Sequence, residues 1–205
     1  MATAHLEVLA EEPSMEAFLA ELLPRLLPQG RTFQVHTFQG KADLLAKLEK
    51  RLCGYAAWMP EDYRILVVVD RDDEECRQLK RRMEAAARAA GLRTRSAAAG
   101  GRWQLVNRIA VEELEAWYFG DWEAVRAAYP RVSATVPRQA RFREPDDIKG
   151  GTWEAFEQVM QRHGYFEGGL PKIEVARLIG ALIEPDRNAS PSFRVFRAAV
   201  IEAFA

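Results

Sequence analysis

Residues Ile65 to Val69 form an unbroken aliphatic run, ILVVV, that ends abruptly in acid at Asp70, Asp72, Asp73, Glu74 and Glu75. A short run of β-branched and aliphatic side chains between turn formers predicts a strand buried on both faces, as in a parallel sheet covered by helices. Parallel neighbours need long crossovers, and the rest of the chain supplies them. His5–Ala10 and Thr32–Phe38 have strand composition, and Leu92–Ser96 and Trp103–Ile109 are two further short strands. A helix follows the first strand, with Ser14 as N-cap and Glu16 in its first turn. Pro24 is expected to kink it or end it early. Lys41–Leu52 carries helical apolar spacing at Leu44, Leu45, Leu48 and Leu52. Asp73–Ala90 and Ala110–Phe119 are helical, and Asp121 caps a further short helix.

Arg131–Gly151 has no apolar periodicity, carries two prolines and is rich in arginine, which predicts a loop. Helices return at Thr152–His163, Pro171–Ile183 and Pro191–Phe204. The expected fold is α/β: an open, mostly parallel sheet flanked by helices, with a C-terminal helical appendage. It forms one domain, with a core over about residues 1–130 and a helical extension over about 151–205.

The balance of 29 basic against 30 acidic side chains leaves a net charge of −1, so any affinity for nucleic acid has to come from a local patch. The two cysteines, Cys53 and Cys76, form no CxxC pair and imply neither a zinc site nor a disulfide framework. Idle or buried thiols fit a reducing cytosol. The first residues lack a basic, apolar leader, and no run approaches the roughly 18 apolar residues of a membrane span. The expectation is a cytoplasmic protein without membrane contact.

In an open parallel sheet, functional loops gather at the carboxyl ends of the strands. The first strand ends at Glu11 and Glu12, the third at Asp70, Arg71, Asp72 and Asp73. If the two strands are neighbours, these acids converge. Unpaired carboxylates raise one another's pKa, and a divalent cation removes that conflict. Mg²⁺ favours one or two carboxylates with waters and phosphate oxygens. Asp70 and Asp72, two apart on extended chain, face one side and are the functional candidates. Asp73 is either a ligand or the cap of the next helix, and Glu74 and Glu75 belong to that helix's first turn. The alternative is an acidic, solvated helix start.

Five stretches carry a resemblance: LAEEPSMEAFL (Leu9–Leu19), QGKADLL (Gln39–Leu45), RILVVVDRDDEEC (Arg64–Cys76), RIAVEELEAWYFGD (Arg108–Asp121) and the tail from PKIEVARLIG to PDRNASPSFRVF (Pro171–Phe196). Together they resemble a small bacterial Toprim-like family labelled as a domain of unknown function and related to OLD-type Toprim nucleases. The resemblance places Glu11 on the Toprim glutamate and Asp70 and Asp72 on the Asp-x-Asp pair. Glu12 stands where that motif has glycine, and is either an extra ligand or turned away. EELEAW implies Glu115, or Glu113, as a third arm of the site. The supporting lysine of OLD-like nucleases would be Lys172 or Lys149.

The implied activity is a nuclease that uses Mg²⁺ or Mn²⁺, in bacterial genome maintenance or phage defence. Glu11, Asp70, Asp72 and Lys172 would be catalytic, and Glu12, Asp73 and Glu115 would be further metal ligands. Arg138, Arg141 and Arg143 would grip the phosphates of DNA or RNA, with Phe142 available to stack and Arg187 in a polar loop offering amides to phosphate. The alternative is a partner-gated or non-enzymatic subunit working with an ATPase. A receiver-like signalling domain also holds Mg²⁺ among acids, but the order Glu then Asp-x-Asp and the C-terminal helices point away from it.

Overall fold

The computed structural model describes residues 3–72 and 74–205. Four strands, β1 (His5–Ala10), β2 (Thr32–Thr37), β3 (Tyr63–Asp70) and β4 (Leu105–Ala110), form one all-parallel sheet in the order β2-β1-β3-β4. The first and third strands are therefore direct neighbours, with Ala10 opposite Val68. β3 is the best-shielded strand: Ile65, Leu66, Val67, Val68 and Val69 are all 0% exposed. Burying each such side chain contributes roughly 1.5–3 kcal/mol.

The period of two along β3 splits these residues between two cores. Ile65, Val67 and Val69 pack with α2 (Lys41–Trp58) and α3 (Cys76–Ala89). Leu66 and Val68 face the other layer, which contains α1 (Pro13–Leu26), α4 (Glu115–Gly120), α5 (Trp122–Ala128), α6 (Thr152–Arg162), α7 (Lys172–Leu182) and α8 (Pro191–Phe204). Asp70 continues the Leu66 and Val68 row, so the alternation aims it at that helical layer. The C-terminal helices share this core with α1 rather than sitting beside it. α7 crosses α1 so closely that a Cβ on Gly180 would stand 2.7 Å from the Phe18 carbonyl oxygen.

Several local expectations are corrected. Leu92–Ser96 is not a strand: Thr94 makes one isolated bridge to Leu105, and Arg95–Ala97 is a 3-10 turn. Helix α1 starts at Pro13, with Glu12 at the N-cap position and the Ser14 hydroxyl donating to Glu12, and it runs through Pro24 to Leu26. Proline in the last turn removes one hydrogen bond, and the buried Leu22 and Leu23 hold that turn. Chain 111–114 is not helical, so α4 begins only at Glu115. The arginine-rich segment has structure, with 3-10 turns at Val136–Arg138, Ala140–Phe142 and Pro145–Asp147 pinned by buried Val136, Phe142 and Ile148. Cys53 is exposed and Cys76 half-buried, both as free thiols. Among the described residues, no helix is long and apolar enough to cross a membrane.

Candidate functional site

The carboxyl ends of β1 and β3 carry Glu11 and Asp70 into contact. The Asp70 N–H donates to Glu11 Oε2 at 3.1 Å. The Asp70 side chain is buried, and its Oδ1 has no hydrogen-bond partner among the described residues. Burial pushes its carboxyl well above the usual range, and Glu11, Glu115, Glu12 and Asp72 push it further the same way. Each of these neighbours is itself acidic, so none offsets the cost of desolvation.

Glu11 and Glu115 are affected similarly. Burial is the main cause that lifts Glu11 to about 7, opposed by the Asp70 amide and by Lys41. Burial also lifts Glu115 to about 7, opposed mainly by the charge of Lys172. Lys172 thus lies on the same side as Glu115, with its Nζ 4.6 Å from the Trp153 ring centroid. Lys149 pairs instead with Asp147 on the exposed surface.

Glu115 and Glu113 part company because the chain between β4 and α4 is not helical. Glu113 Oε2 accepts from Thr152 N (2.8 Å), Thr152 Oγ1 (2.9 Å) and Trp153 N (2.9 Å), closing the first turn of α6. Glu115 therefore reaches the acidic group and Glu113 does not.

Asp72 departs from the extended geometry expected of Asp-x-Asp. Its φ is +47°, an αL conformation in which i and i+2 no longer share a face. Its carboxylate pairs with Lys41 Nζ at 2.5 Å and is 44% exposed. Lys41 also pairs with Glu74 at 3.2 Å and donates to the carbonyls of Asp70 (3.3 Å) and Arg71 (2.9 Å). The remaining candidate ligand, Asp73, lies outside the described residues. The cap expected of it is supplied by Glu75, which accepts from Arg77 N and Gln78 N.

Two residues of this site lie in stretches that carry the resemblance, QGKADLL and RIAVEELEAWYFGD, but are not among the candidate site residues. Lys41 begins α2, and only the fold brings it under the tip of β3. Tyr118 is wholly buried, and its hydroxyl has no partner among the described residues. Burial, followed by Glu115 and Asp70, raises its pKa well above the usual value. Its apolar ring fits a core helix, so nothing local marks its hydroxyl.

The basic candidates do not gather here. Arg187 forms a fork on buried Asp121 (2.6 and 2.9 Å) and reaches Glu123 at 3.1 Å, so its donors serve the fold. Its polar loop closes on itself. The Ser192 amide donates to Asp146, the Ser190 amide to Asn188, and the Phe193 amide to the Ser190 hydroxyl. Arg138, Arg141 and Arg143 are exposed. Phe142 is buried and stacked on Phe119 at 5.1 Å, which removes it as a platform for a base.

The acidic group offers only oxygen donors, the set that suits hard Mg²⁺ or Mn²⁺. The orphaned Asp70 Oδ1 and the raised carboxyls fit a cation. Among the described residues, however, no three His, Cys, Asp or Glu side chains already stand as a ready-made ligand set.

The family model described as Domain of unknown function (DUF4276) matches residues 10–201, and the chain belongs to that family. No curated protein and no solved structure matches it.

Proposed function

We propose that this family member is a divalent-cation-dependent phosphodiesterase that acts on nucleic acid, with Glu11, Asp70 and Glu115 supplying its carboxylates. One observation carries the proposal: Asp70 is buried among acids with an oxygen left unpartnered among the described residues. A buried, unpaired carboxylate costs several kcal/mol unless it is protonated or meets a cation. The resemblance to Toprim domains points the same way. Bound Mg²⁺ or Mn²⁺ would neutralise charge on the phosphodiester and acidify a water.

The chain's own groups have separate tasks. The Asp70 amide fixes one oxygen of Glu11, which leaves the other to face a cation. Lys172, whose charge acts on Glu115 and whose ammonium lies over the Trp153 ring, would stabilise a departing oxygen.

Lys41 favours a second reading, the partner-gated subunit. It holds Asp72 in an ion pair, and a partner such as an ATPase would have to release it. Incubating plasmid, single-stranded DNA and tRNA with Mn²⁺ distinguishes the two. The expected result is cleavage by the wild type and none by Asp70→Asn, with a Mn²⁺-dependent rise in the wild-type melting temperature. A rise without cleavage favours the gated subunit, and neither effect overturns both readings.

A further inference from the structure

The open edge of the sheet carries a second feature. β4 is an edge strand: among the described residues β3 is its one neighbouring strand, and its other side carries the isolated bridge of Leu105 to Thr94. Arg71 donates its N–H to the Ala110 carbonyl (2.9 Å), so Ala110, Arg108 and Val106 turn their backbone groups toward β3. The alternating groups of Asn107 and Ile109 face the open edge. Beside that edge, α3 and α8 wall a cleft of about 620 Å³. Clefts that hold small ligands span roughly 300–1,000 Å³.

The lining is cationic above and apolar below. Arg77, Lys80 and Arg81 project from α3, and Arg108 from β4, while Ile109, Val111 and Val195 form the floor. Arg108 donates to the carbonyls of Val195 (3.2 Å) and Asn107 (2.8 Å) and has no ion pair among the described residues. Burial and then nearby Arg95 push its guanidinium down to about 10, still fully charged at neutral pH. The acid in the lining, Asp146, is occupied by Ser190 and Ser192. Asn107 is wholly buried behind this lining, with its amide donating to Glu84, so the polar groups the cleft presents are its cations.

We propose that this cleft binds single-stranded nucleic acid and leads its backbone to the acidic end of β3. Phosphates meet Arg77, Arg81 and Arg108, while Lys80 is held by Glu84 and the Asn107 carbonyl, and base faces lie on the apolar floor. A duplex hides its bases and would leave the floor uncovered. An acidic peptide meets the cations but offers no flat apolar face with each charge. One end of the cleft lies near the candidate site, since Val111 of its lining follows Ala110, the register partner of Asp70, and the Asp72 N–H bonds the Glu112 carbonyl at 3.0 Å. Delivery to the acids rests on the function proposed above, whereas binding does not.

The test is fluorescence anisotropy of labelled single-stranded DNA and RNA 12-mers in EDTA, with duplex and poly-glutamate as competitors. The wild type is expected to bind either strand and to resist poly-glutamate. Arg77→Glu/Arg81→Glu is expected to weaken binding at least tenfold and to lower the salt slope by roughly 0.7 for each phosphate no longer neutralised. Arg88→Glu/Arg162→Glu, with the same charge change at exposed positions elsewhere, is expected to leave it unchanged. Val195→Asp, which places a carboxylate on the floor at an exposed helix position, gives a second variant that keeps its fold. Unchanged affinity in both cleft variants overturns the inference. So does equal competition by poly-glutamate, or a loss confined to Arg138→Glu/Arg141→Glu/Arg143→Glu. Binding without Mn²⁺-dependent cleavage upholds the cleft while removing the proposed activity.

Discussion

Glu84 and Asp70 are both carboxylic acids withdrawn from water against the same sheet, and they are treated in opposite ways. Glu84, on α3, accepts from Ser96 Oγ (2.6 Å) and Asn107 Nδ2 (2.9 Å) and pairs with Lys80 at 3.2 Å. Burial works to raise its pKa, yet hydrogen bonds from Ser96, Thr94 and Asn107 and the charge of Lys80 together hold it at about 2. Burial raises Asp70 too, but its acidic neighbours add to the effect. The contrast separates acids that build the fold from acids that the fold leaves in need of a counter-charge. A protein rarely retains the second kind without a use for it.

The largest test of this contrast is to delete the satisfied acid. Glu84→Ala strands the Asn107 amide and Lys80, and losing bonds to a charged group costs about 2–3 kcal/mol. The melting temperature is expected to fall by roughly 5–10 °C for a chain of this size. A fall under about 2 °C would break the comparison, because Glu84 would then be no more structural than Asp70.

The opposite sign is expected at Asp70. Asp70→Asn keeps the shape and removes the uncompensated charge. In EDTA at pH 8 it should stabilise by about 1 kcal/mol, a rise of roughly 2–4 °C. The same variant should lose the Mn²⁺-dependent rise shown by the wild type. Destabilisation in EDTA would place Asp70 in the same structural class as Glu84.

Much of this is legible in the sequence where the cause is local. The aliphatic run at Ile65–Val69 and the acids at the strand ends follow from burial and from the topology of parallel sheets. The joint position of Glu11 and Asp70 needs only that β1 and β3 be neighbours. What escapes depends on contacts distant in sequence. Lys41 matters because α2 returns its first turn beneath β3, and nothing near Lys41 signals that. Asp72 leaves the shared face because extended geometry ends one residue sooner than Asp-x-Asp requires, where the chain turns into αL. Phe142 sits in a polar, arginine-rich stretch, and only its burial against Phe119 shows it to be a core residue. Arg187 has a surface-loop context, yet Asp121, 66 residues away in sequence, claims its guanidinium.

The two kinds of acid should also divide the pH scale. Glu11 and Glu115 have folded pKa values near 7, above the ordinary glutamate value of 4.5. Their protonated forms favour the fold, so that contribution is full below about 4.5 and is lost as pH rises through 7. Glu84 has a folded value near 2, below 4.5, so its contribution is full above about 4.5 and is lost as pH falls toward 2. Cation-free wild type should therefore melt highest near about pH 5 and decline on both sides, more steeply on the alkaline limb, where two glutamates titrate. Glu11→Gln/Glu115→Gln should flatten only the alkaline limb, and Glu84→Gln only the acidic one. A single variant that flattens both limbs would merge the two classes.

The smallest expected effect sharpens the boundary between them, at Lys41. Its ammonium already sits among oxygens of Asp72, Glu74 and two carbonyls, as a cation does, and its side chain is only 12% exposed. This partial counter-charge at the tip of β3 serves Asp72 while leaving the Asp70 side chain unpaired among the described residues. Asp72 is substantially exposed, so water screens the pair and its strength is about 0.5–1 kcal/mol. Replacing Lys41 with methionine keeps the aliphatic stem, removes a competitor for any cation and frees Asp72. Mn²⁺ affinity, read from the melting temperature across a metal titration, should tighten by a factor of roughly two to five, equivalent to about 0.5–1 kcal/mol. Weaker binding would mean that Lys41 positions Asp72 for the metal instead of competing with it, and that the acidic end is already partly satisfied in the way Glu84 is.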